Sequence, residues 1–240
     1  RNWFLKRLQK EFEEEKKHYS GGGNVVVNPV SINLALTERE GLDVDGVILT
    51  TVSNMLKVRL TMDMCMAISE ILQRCPGAYY MPIGYIEAPQ CFYQIFNHYG
   101  VGERVIFLGE VYEPNRYLQS MDIYLNEFPF GSGLAVLESM AAGCAVVTMY
   151  DEKSNYKSRE GGNYFGPEYA IKTGLRKDYV DLACHLVEDD AMRKSWSEHA
   201  LKRYSERTGV EEYAQRHMQI IEECIQRDHG KINKYKRHTG

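Results

Sequence analysis

Short apolar runs and longer stretches of helical period alternate through the middle of the chain, beginning at Val47. The runs fall at 47–52, 78–82, 104–108, 122–126 and 144–148, each bounded by turn residues. They are near-continuous rather than strictly alternating, as strands covered on both faces must be. Between them apolar residues recur at helical spacing over about 61–74, 88–99, 114–120 and 133–142. Pro76-Gly77, Gly100 and Gly143 stand where those helices should stop, because the left-handed backbone that closes a helix suits glycine. After Asp151 a polar, glycine-rich loop runs to about Gly166, and further helices are expected near 178–188, 190–204 and 209–227. Strands regularly separated by helices predict an α/β fold: a doubly wound, Rossmann-like parallel sheet closed by C-terminal helices.

The residues before this rhythm follow a different pattern. Trp3, Phe4, Leu5, Leu8 and Phe12 share one side of a helical wheel over 3–19, and Glu11, Glu13, Glu14, Lys16 and Lys17 mostly take the other. Gly21-Gly22-Gly23 ends that helix, and the β-branched Val25-Val26-Val27 and the spacing of Ile32, Leu34 and Leu36 predict a hairpin around Asn28-Pro29. The chain therefore divides into a helix and β-hairpin appendage at 1–46, an α/β domain at 47–228, and a basic tail at 229–240 that reads as a frayed terminus. The chain starts with Arg1 rather than Met, the start expected of a piece of something longer.

Charge and composition narrow the partners. In 240 residues, 29 Lys and Arg face 33 Asp and Glu, a net charge of −4 that disfavours a nucleic-acid partner held by phosphate neutralisation. No run approaches the roughly 18 apolar residues of a membrane span, and the first residues lack the apolar core of a secretory signal. A cytoplasmic protein is expected. The six cysteines form no CxxC pair and have no histidine at ligand spacing, so neither a zinc site nor a disulfide framework is suggested.

An open parallel sheet binds ligands beyond the carboxyl ends of its strands. The most informative loop there is Phe128-Pro129-Phe130-Gly131-Ser132-Gly133, which empties a strand into a helix. Its small residues allow close approach, and free N–H groups at the helix start, with the helix dipole, make Gly131, Ser132, Gly133 and Leu134 a phosphate cradle. Glu138 lies about one turn further on, where a carboxylate can accept hydrogen bonds from a sugar or ribose diol; a surface glutamate explains it equally well. The loop Ser53-Asn54-Met55-Leu56-Lys57-Val58-Arg59 offers Lys57 or Arg59 to the same phosphates. In Gly109-Glu110-Val111-Tyr112, backbone groups could hold a base and Tyr112 could stack on it. Lys153, Lys157 and Arg159 at the rim read more economically as solvated charges. No histidine falls on an active-face loop, and no general base is named.

The ordered series from Arg104 to Asn126, with Phe128 to Thr148 after it, resembles the donor-binding, C-terminal half of a GT-B glycosyltransferase. Arg104-Val105-Ile106-Phe107-Leu108-Gly109 matches that family's strand and glycine, and Leu134 to Thr148 matches its helix with Glu138, a glycine and a closing strand. The likeness covers roughly 47–225 and has two branches. Glu138 matches the second member of the paired-glutamate motif of many retaining members, but the first, eight residues earlier, would fall on Phe130 or be shifted to Glu127. Phe128 to Gly131 and Ser53 to Lys57 look similar instead to the inverting O-GlcNAc-transferase-like and bacterial protein N-glucosyltransferase branch. There a lysine matching Lys57 binds the donor diphosphate and an acidic residue matching Glu138 binds the ribose.

The resemblance implies a nucleotide-diphosphate-sugar donor of UDP or GDP type, bound by Asn54, Lys57, Val111, Gly131, Ser132, Gly133, Leu134 and Glu138, and a glycan or protein acceptor. It implies no separate cofactor and no metal, in keeping with the lack of an Asp-x-Asp motif. Only about 46 residues precede the repeat, so an acceptor half, on a longer chain or a partner subunit, is expected. A non-catalytic glycosyltransferase-like scaffold and a sugar-nucleotide epimerase of the same fold are the competing readings.

Overall fold

The computed structural model describes residues 46–129, 131–150, 158–208 and 214–225. The expected appendage at 1–46 (apart from Gly46), the tail, Phe130, Lys153 and Lys157 lie outside the described residues. In chain order the elements are β1 (Val47–Thr50), α1 (Leu56–Arg59), α2 (Met62–Arg74), β2 (Ala78–Tyr80), α3 (Pro89–His98), α4 (Pro114–Leu118), β3 (Ile123–Leu125), α5 (Gly133–Ala142), β4 (Ala145–Val147), α6 (Ser158–Phe165), α7 (Arg176–Glu188) and α8 (Asp190–Thr208). Residues 214–225 are helical as well.

The strands pair in parallel in the order β2-β1-β3-β4. Every strand residue is buried, which is why the runs in the sequence are continuous. Alternate side chains feed two cores. Val47, Leu49, Ala78, Tyr80, Ile123, Leu125, Ala145 and Val147 join Phe96 of α3 and the inner faces of α2 and α7. Ile48, Tyr79, Tyr124 and Val146 meet α4, α5, Phe165 of α6 and Ala200 of α8. The sheet is thus wound with helices on both faces, as expected.

Three expectations are corrected. The run 104–108 does not form a ladder strand: a 3₁₀ turn takes Gly102–Arg104, and the chain then lies along β2 through the single bridges Tyr80↔Val105 and Ile83↔Gly109. Three backbone bonds join it to the β2 chain, Ile106 N–H to Tyr80 O (2.9 Å), Leu108 N–H to Pro82 O (3.0 Å) and Gly84 N–H to Gly109 O (2.7 Å). Pro82 has no N–H with which to continue the ladder, and the same residue ends β2 early. The glycine-rich loop expected up to Gly166 contains α6, and α1 turns within the loop after β1. With the 105–109 segment at its edge, the spatial order steps outward from β1 in one direction and then from β3 in the other. The crevice between β1 and β3 is the switch point where such sheets bind ligands.

Candidate functional site at the switch point

The loop from β3 to α5 is held by the Asn126 side chain, which is 1% exposed. Its Oδ1 accepts from Ser132 N–H at 2.9 Å, and its Nδ2 donates to Thr148 Oγ1, at the end of β4, at 2.9 Å. The loop folds so closely over this amide that a Cβ on Gly131 would lie 2.6 Å from Asn126 Nδ2. A Cβ on Gly161 of α6 would lie 2.4 Å from the same atom. From beneath, Tyr179 of α7 donates its hydroxyl to Asn126 O (2.9 Å), and its ring packs against Phe128. From the β1 side, Arg59 donates to Gly131 O (3.2 Å) and Thr61 Oγ1 donates to Phe128 O (3.3 Å).

The loop delivers Ser132 as the N-cap of α5, its hydroxyl accepting from Ala135 N–H at 3.2 Å. Gly133 and Leu134, the first two helical residues, have no intrahelical acceptor for their N–H groups. No acidic residue occupies the first turn of α5, so no carboxylate there offsets the positive end of the dipole. Leu134 is 69% exposed, so this end of the helix is open. Glu138 is half-buried one turn beyond, and burial raises its carboxyl above the usual range.

The other residues singled out in the sequence ring this point at different depths. Lys57 is exposed on α1 and ion-paired with Glu87 at 2.7 Å, which raises its ammonium above its ordinary value. The basic residue that α1 brings onto the loop is Arg59. Asn54 is exposed in the β1–α1 loop, and Val111 is half-buried against the second core. Gly109 and Gly84 bring the outer loops together through Gly84 N–H to Gly109 O at 2.7 Å. Gly84, at φ +139°, sits where a Cβ would fall 1.8 Å from Ser53 O.

Glu127, which follows Asn126, is buried to 2% exposure. Its Oε2 accepts from Tyr124 hydroxyl at 3.5 Å, and its Oε1 has no hydrogen-bond partner among the described residues. Burial pushes its carboxyl up to about 7, against the opposing pull of the Arg59 charge and the Ser132 N–H. Sequence spacing does not single out Asn126, Thr148 and Gly161, because their roles come from loops that meet only in the fold, and it names Glu127 only as a shifted first member of the paired-glutamate motif. An asparagine at a strand's end just before a glycine-rich turn is the one local signal.

Cys65 and Cys144 are buried, and burial pushes each thiol up to about 12, away from nucleophile chemistry. Among the described residues no group of three or more His, Cys, Asp and Glu could hold a metal ion. The described histidines lie on helices. No helix among the described residues is long and apolar enough to cross a membrane.

Fold and site together define a domain of the Rossmann-like class with an open helix N-terminus at its switch point. The family profile of the group 1 glycosyl transferases matches residues 47–189, more than half of the chain, and the chain belongs to that family. Its fold is one half of the GT-B arrangement. TarM of S. aureus, in a complex with fondaparinux, alpha-GlcNAc-glycerol and UDP, superposes with a TM-score of 0.62 at 14% identity, over 72% of this chain and 35% of that one. A mutant O-GlcNAc transferase of Thermobaculum terrenum gives 0.59 at 21% identity, over 68% and 32%. The C-terminal domain of the group 1 protein LpcC from Francisella tularensis gives 0.51 at 19% identity, over 67% of this chain and 84% of that domain. The chain thus spans about a third of the length of the first two. No curated protein matches it significantly.

Proposed function

We propose that this chain is the donor-binding domain of a glycosyltransferase that moves a sugar from a nucleotide-diphosphate-sugar to a glycan or protein acceptor. The observation that carries the reading is the Asn126-held loop, which presents the free N–H groups of Gly133 and Leu134 at the switch point with Arg59 fastened beside them. As the sugar–oxygen bond breaks, negative charge gathers on the departing diphosphate. Fixed N–H donors, the dipole of α5 and a guanidinium are what stabilise such charge without a metal ion. Lys57 adds a second cation by exchanging Glu87 for phosphate, and Glu138 accepts from the ribose hydroxyls. Asn54 and Val111 border the nucleoside. The acceptor half is supplied outside residues 47–228. All six cysteines are free, which supports a reducing, cytoplasmic setting.

Thermal-shift and calorimetric titration with UDP, GDP and ADP tests the reading, since a ligand that binds only the native state raises its stability by RT ln(1 + [L]/Kd). One diphosphate is expected to bind, and Lys57→Ala and Glu138→Ala are each expected to weaken it about tenfold, the loss of one charge-assisted hydrogen bond. Binding unchanged in both variants would remove those two residues from the site. Binding without transfer, after addition of an acceptor half from a relative, would make the chain a non-catalytic module.

A further inference from the structure

The mechanism above leaves a buried carboxyl, Glu127, unused. Glu127 opens the loop that carries the α5 N–H groups, which folds back until a Cβ on Gly131 would lie 2.8 Å from Glu127 O, and its buried Oε1 has no hydrogen-bond partner among the described residues. Tyr124 of β3 donates its hydroxyl to the carboxyl, and the charged or titratable groups near enough to act on it electrostatically are Arg59 of α1, Tyr80 of β2 and Tyr179 of α7. Burial raises all three phenols, so they remain neutral through the physiological range. Glu127 is therefore the group of this cluster that changes charge near neutral pH, beside one permanent cation.

We infer that Glu127 couples donor binding to proton uptake: a diphosphate seated on the loop above it is compatible with the neutral carboxyl and repels the carboxylate. The inference rests on the donor reading. A buried carboxylate at the root of the loop repels an anion seated on it, and taking one proton from solvent onto the carboxylate removes the repulsion. The neutral carboxyl also gains an O–H donor, which the ionised form lacks. Glu127 acts through the loop and is a positioning residue.

The test is calorimetry of UDP, GDP and ADP in buffers of different ionisation enthalpy at pH 8, where a terminal phosphate with a second pKa of about 6 is already ionised. Binding is expected to take up a substantial fraction of one proton. Glu127→Gln, which keeps the volume and mimics the neutral form, is expected to bind with no uptake and, at pH 8, several-fold more tightly than the wild type. Binding with no uptake by the wild type overturns the inference and leaves the donor reading standing. Equal uptake in wild type and Glu127→Gln overturns it too, since the proton then goes elsewhere. If none of the three diphosphates binds at any pH, the donor reading falls and takes this inference with it.

Discussion

One amide, Asn126, serves two strand ends and the start of a helix. Its carbonyl fixes Ser132 N–H in a part-buried bond, and its NH₂ fixes Thr148 Oγ1 in a buried one. Asn126→Ala would strip Ser132 N–H of its acceptor and Thr148 Oγ1 of its donor, a loss of about 1–3 kcal/mol. Denaturant titration should show a loss in that range, with a comparable weakening of nucleotide binding because the N–H groups above are no longer held. The neighbouring glycines report on the same packing. Gly161→Ala brings a Cβ to 2.4 Å from Asn126 Nδ2 and is expected to destabilise by about 1–3 kcal/mol. Gly77→Ala, where a Cβ meets nothing within 4 Å, is the control expected to change stability little.

Among the elements, α5 carries the open helix start of the candidate site and α6 packs against Asn126 behind it. Both ends of α5 were legible: a serine after a strand, a glycine after the last apolar residue, and the boundaries 133–142 as expected. Gly143 takes φ +82° at the C-cap, a conformation few other residues accept. Ser132→Ala should cost about 1 kcal/mol in thermal or chemical unfolding, whereas Ser132→Gly should cost only a few tenths, the signature of an N-cap. The α6 helix was not legible, because Gly161 and Gly162 each disfavour helix by about 1 kcal/mol. They are there because Asn126 and Tyr150 leave no room for a side chain, a constraint that exists only once β3, β4 and α6 have met. The segment at 104–108 failed in the opposite way. Its own apolar residues suit a strand, and the ladder is broken by Pro82 on the neighbour.

At the scale of the whole molecule, Glu127 should govern part of the dependence of stability on pH. Its folded value, about 7, lies above the ordinary 4.5, so the folded state binds a proton that the unfolded state has already released between those limits. The sign is then fixed: stability contributed by the neutral form is complete below pH 4.5 and is lost as pH rises toward and through 7. Across that window the folding equilibrium should weaken by up to roughly tenfold per pH unit, and Glu127→Gln should flatten the slope, as urea titrations at a series of pH values would reveal. A wild type whose stability is level from pH 5 to 7 would contradict the burial of this carboxyl. The sequence by itself determined the layering: continuous apolar runs and helical periods between them suffice to specify a parallel sheet covered on both faces, and glycine and proline mark where its elements stop. It also marked the loop before α5 as the candidate anion site, because helix N-termini expose N–H groups where small residues precede them. Only the tertiary structure decided that Arg59 reaches that loop while Lys57 pairs with Glu87, that two glycines make room for one amide, and that Glu127 is buried beneath. Those facts depend on distances between residues far apart in the chain, and burial sets the charge state of a carboxyl in a way that no neighbour in sequence can foretell.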